Sequence, residues 1–64
     1  MYIISVSVKN KIVGYLHNGG DGYGITGIVQ HSKMFENQIL ARKHAKICSK
    51  QALPEYSLRV SKYS

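Results

Sequence analysis

A single cysteine, Cys48, is all that this chain carries, so no internal disulfide can form and a secreted, disulfide-stapled scaffold is excluded. Proline is as scarce, with Pro54 standing alone. No apolar run approaches the roughly 20 residues that span a bilayer as a helix. The opening Met-Tyr-Ile-Ile-Ser-Val-Ser-Val lacks a basic segment and alternates with serine, so it reads as a strand and not as a signal peptide. The close paired spacings of compact zinc sites are missing as well. A protein of a reducing cytoplasm is the expectation.

Acidic residues number three against nine lysines and arginines, a net charge of +6 and a pI near 9.7. So basic a chain favours polyanionic partners: nucleic acid, acidic protein surfaces or anionic lipid. Its 64 residues form one domain, residues 1–64, that buries only about 60% of the surface its unfolded form exposes. That leaves room for one small core and no enclosed catalytic cavity beside it.

Residues 2–8 place Tyr2, Ile4, Val6 and Val8 on one face and serines on the other, the period of a half-buried strand. Lys9-Asn10-Lys11 supplies a polar turn in which Asn10 tolerates a positive φ. Residues 12–17 read as the returning strand, with Val13 and Tyr15 beside Val6 and Ile4. Residues 18–22 are the densest turn signal, holding both Asn-Gly and Asp-Gly. Residues 23–29 form a third strand whose Gly24 and Gly27 suggest a bulge or a close approach. Residues 30–36 connect. Asn37 then caps a helix over 38–52 that Pro54 ends, and residues 55–63 alternate as a last strand.

Within this order lies Gly22-Tyr23-Gly24-Ile25-Thr26-Gly27, a literal G-x-G-x-x-G. A dinucleotide fold requires that motif to follow a strand, open a helix, and precede an acid by about 20 residues. Here strand-like residues follow it and no acid stands at that offset. A kinase-type loop would need a lysine, a catalytic loop and metal ligands that so short a chain cannot hold. The stretch is read as a hairpin turn leading into a glycine-tolerant strand.

On a helical wheel, Leu40, Ala41, His44, Ala45, Ile47, Cys48 and Ala52 share one arc, and the alanines let the helix lie close to the sheet. Arg42, Lys43, Lys46 and Lys50 share the opposite arc with Ile39. Such like-charge pairs cost a few tenths of a kcal/mol each, so the stripe is not there to stabilise the helix. Lys33 before the helix, and Arg59 and Lys62 on the last strand, extend it. The candidate partner-binding residues are therefore Lys33, Arg42, Lys43, Lys46, Lys50 and Arg59. His44 and Cys48 share the apolar face, where core packing explains both better than metal or nucleophilic chemistry. No catalytic, cofactor-binding or metal residue is expected. The tyrosines at 2, 15, 23, 56 and 63 read as cover for a small core.

Taken along the chain, Tyr2-Ile3-Ile4, Gly22-Tyr23-Gly24-Ile25-Thr26, Phe35-Glu36-Asn37, the Ala41 and Ala45 pair, and Tyr56-Ser57-Leu58-Arg59-Val60 resemble small phage and prophage accessory proteins. The resemblance covers nearly the whole chain and implies a hairpin, a third strand, a capped helix and a closing strand. It also implies inhibition or adaptation of host machinery, such as a defence system or a polymerase. The basic balance excludes the imitation of nucleic acid used by acidic proteins of that kind.

The expected architecture is α+β: a small, mostly antiparallel sheet in the order β-β-β-α-β, with one amphipathic helix packed on one face. The expected function is non-enzymatic binding of an acidic host protein or nucleoprotein through the basic helix face. The alternative is direct, weakly sequence-specific binding of DNA or RNA by that face. No membrane partner is expected, and exposed sheet edges allow a homodimer.

Overall fold

A computed structural model describes residues 1–19, 22–51 and 54–63. Strands β1 (Tyr2–Val8), β2 (Lys11–Gly19) and β3 (Gly22–Thr26) lead through a short 3-10 turn, Val29–His31, to helix α1 (Gln38–Gln51) and strand β4 (Tyr56–Lys62). The sheet order is β3-β2-β1-β4, antiparallel throughout. The α+β architecture is thus as the sequence implies.

The first hairpin differs from its sequence reading in one respect that moves many side chains. Val8 pairs with Lys11, so Lys9 and Asn10 are the two central turn residues, with φ of 52° and 67°. Positive φ at both positions is the geometry whose twist matches paired strands. Ser7 pairs with Ile12, but Val6 then pairs with Gly14, leaving Val13 as an extra bulged residue. A slip of one residue turns every later side chain to the other face. Gly14 and Leu16, in place of Val13 and Tyr15, therefore share the face of Val6 and Ile4. Leu16 is buried and Val13 is half exposed, at 50%.

The slip also explains Gly14. A β-carbon there would collide with Cγ2 of Ile25 and stand 2.9 Å from the carbonyl oxygen of Thr26. The sequence reading placed close approaches at Gly24 and Gly27. At Gly24 the neighbour is only the ring of His17, 3.0 Å away, and at Gly27 there is nothing within 4 Å. The expected turn at 18–22 is tighter than read, since Gly19 pairs with Gly22; Gly20 and Asp21 lie outside the described residues. Strand β3 also stops early, at Thr26. There the Thr26 hydroxyl accepts a hydrogen bond from the Ile28 amide at 3.2 Å, offering the backbone a local partner in place of a ladder.

The connector then returns to the sheet. Lys33 donates its amide to the Leu16 carbonyl at 2.9 Å, and Tyr2 and Phe35 exchange two backbone bonds of 2.8 Å each. The buried Phe35 is thereby fixed in a core with Ile4, Leu16, Ala41 and Cys48, flanked by Tyr2, Ala45, Leu58 and Val60. Asn37 caps α1 as expected: its side-chain oxygen accepts the Leu40 amide at 2.9 Å. Ala52, the expected last residue of the helix, and Leu53 after it lie outside the described residues. By alternation along β1 and β4, the sheet face opposite the helix carries the buried Ile3 beside Ser5, Ser7, Ser57, Arg59 and Ser61. Ser5 and Ser7 donate there to the carbonyls of Arg59 and Ser57, at 3.3 and 3.4 Å.

Candidate functional site

Helix α1 packs on β1 and β4, and its seat is narrower than the wheel implies. Ala41 and Cys48 are buried and Ala45 is half-buried, so the small-residue arc makes the closest contact. His44, also half-buried, lies beside Phe35 with ring centroids 5.0 Å apart. Leu40 and Ile47, which the wheel places at one end of the apolar arc, are 44% and 47% exposed, and Ile39 is 78% exposed. The reason is steric: alanine and cysteine let backbone and sheet approach, and the larger side chains are left on the flank.

The outward face consequently carries Arg42, Lys43, Lys46 and Lys50, all exposed, interleaved with Ile39, Leu40 and Ile47. No acidic residue occurs between Glu36 and Glu55, so nothing on the helix itself offsets these four charges. The sequence showed the cations and Ile39 among them, but not that Leu40 and Ile47 stand exposed beside them. The run Ala41, Ala45, Cys48 was the available signal, because the smallest residues mark where a helix sits closest.

Arg59 is exposed on β4, its side chain on the sheet face away from the helix by alternation with Leu58 and Val60. It borders, with Arg42, Gln38, Ala45, Leu58 and Val60, an open groove of about 330 Å³. Lys33 is held differently. It is half-buried, with its ammonium 5.8 Å from the Phe35 ring centroid, a cation–π contact that ties it to the core aromatic. Lys62 is exposed at the end of β4. Among the described residues no three histidine, cysteine or carboxylate side chains converge as metal ligands. Burial raises the Cys48 thiol above its ordinary value of 9.0, which disfavours the nucleophilic thiolate. No helix among the described residues is long and apolar enough to cross a membrane.

No protein-family model, curated protein or solved structure was found to match this chain.

Proposed function

We propose that the chain is a non-enzymatic binding protein of the phage-accessory type, acting in the cytoplasm of a host cell. Its exposed helix face engages an acidic protein, or a nucleoprotein, of the host's nucleic-acid machinery and modulates it. A defence system or a polymerase is the kind of target intended. One observation carries this reading: Arg42, Lys43, Lys46 and Lys50 stand exposed around exposed Ile39, Leu40 and Ile47. Cations supply steering toward an acidic partner, and apolar side chains supply the desolvated contact that gives a protein interface its affinity. A face built for phosphates alone gains little from isoleucine at its centre.

The second reading, direct and weakly sequence-specific DNA or RNA binding, rests on the same four cations and the net charge of +6. Capture from bacterial lysate with and without nuclease separates the two. The protein reading expects a partner that survives nuclease and is lost with Lys46→Glu/Lys50→Glu. Loss of all capture after nuclease, together with retarded DNA or RNA at low salt, transfers the function to the second reading. Undiminished capture by the charge-reversed variant overturns both.

A further inference from the structure

Among the described residues strand β4 pairs only with β1 and forms one edge of the sheet. The Tyr63 amide donates to the Met1 carbonyl at 2.8 Å, which fixes the phase of that ladder. Backbone groups of antiparallel strands alternate in direction. Ser61, Arg59 and Ser57 therefore turn their amides and carbonyls toward β1. Leu58 and Val60 turn theirs outward, into the groove they line with Gln38, Arg42, Ala45 and Arg59. A row of outward donors and acceptors, backed by half-buried apolar side chains and walled by a helix, is the receptor for an added strand.

We propose that this groove binds an extended acidic segment of a partner protein, which pairs with β4 through Leu58 and Val60. Side chains of the added strand alternate between the two faces of the sheet. Those on the helix side lie over Leu58, Val60 and Ala45, where apolar residues fit, with a carboxylate reaching Arg42 at the helix rim. Those on the opposite side meet Arg59, whose charge selects a carboxylate across the strand pair. Among the described residues that line the groove none is acidic, so an acidic occupant meets no repulsion from them. A second copy fits less well, because the antiparallel register that sets Leu58 opposite Val60 puts Arg59 directly against its own copy, on a chain of +6. The proposal rests on the preceding one only in taking the partner to be an acidic protein. Its surface is the β4 edge, and not the outer lysines.

The test uses the whole chain, isotope-labelled, and a short end-capped peptide with glutamate at alternate positions, valine between, and one central valine replaced by glutamate. Saturating peptide should slow hydrogen exchange of the Leu58 and Val60 amides about tenfold or more. The slowing should vanish with Arg42→Glu/Arg59→Glu and persist with Lys46→Glu/Lys50→Glu. A synthetic chain N-methylated at Val60 keeps its side chain and its β1 ladder, and should lose the peptide's protection of Leu58 while its circular dichroism is unchanged. Protection that survives N-methylation overturns the proposal. So do unslowed amides with shifts confined to Lys43, Lys46 and Lys50, or a dimer whose β4 edge is protected without peptide. Because the lysine variant spares this groove, failure here and failure of the outer face are read separately.

Discussion

Gly14 packs where two strands and a side chain converge, and no composition count singles it out among 6 glycines. Substituting Gly14→Ala forces Ile25 and the Thr26 carbonyl apart, a backbone-limited clash that should cost about 1–3 kcal/mol. Gly27→Ala, at a position with open space, should change stability by less than about 0.5 kcal/mol. Urea unfolding midpoints of the two variants check the contrast. The Cys48 thiol gives a second residue-level expectation. Burial favours its neutral form, so its pKa is higher folded than unfolded. The resulting stabilisation is fully present below about pH 9 and is lost as pH rises through the folded value. Tyrosines and lysines titrate in the same range, so the informative quantity is a difference. The alkaline decline in melting temperature should be shallower in Cys48→Ala than in the parent protein.

At the scale of elements, β1, β4 and the helix were legible because each repeats its period over seven or more residues. The pairing register was not. One bulged residue, Val13, reverses the faces of β2, and alternating Ile, Val, Tyr and Leu offer no local mark of which one is extra. The turn itself was half legible: Asn10 announces a positive φ, whereas Lys9 adopts one without any sequence preference for it. Replacing Lys9-Asn10 by Asn-Gly supplies the residues such a turn favours and should raise stability by about 0.5–1 kcal/mol, measured as a higher denaturation midpoint. The helix was legible in its cap and span but not in its exact seat. Ala41 is fully buried and Ile39 is 78% exposed, so size predicts the wrong ranking of consequences. Ala41→Leu should destabilise by about 1–3 kcal/mol through overpacking. Ile39→Ser, the larger loss of apolar surface, should cost less than about 0.5 kcal/mol.

For the molecule as a whole, charge sets the direction of any partnership and packing decides which charges remain available. The basic stripe was readable from spacing alone, since four cations fall on one arc of a helix with no acid among them. The exposure of Leu40 and Ile47 beside it, and the groove between α1 and β4, depended on how closely the helix settles, a tertiary property. Lys33 likewise reads as one more cation in the sequence and is drawn to Phe35 in the fold. The most direct measurement is the dissociation constant of the nuclease-resistant partner, taken at low and at physiological salt, for the parent protein and for Lys46→Glu/Lys50→Glu. Reversing two charges at the centre of the face should weaken binding by at least about tenfold at low salt, and by less as salt screens the surface. Equal dissociation constants for the two proteins at both salt concentrations would contradict the assignment of function to this helix face.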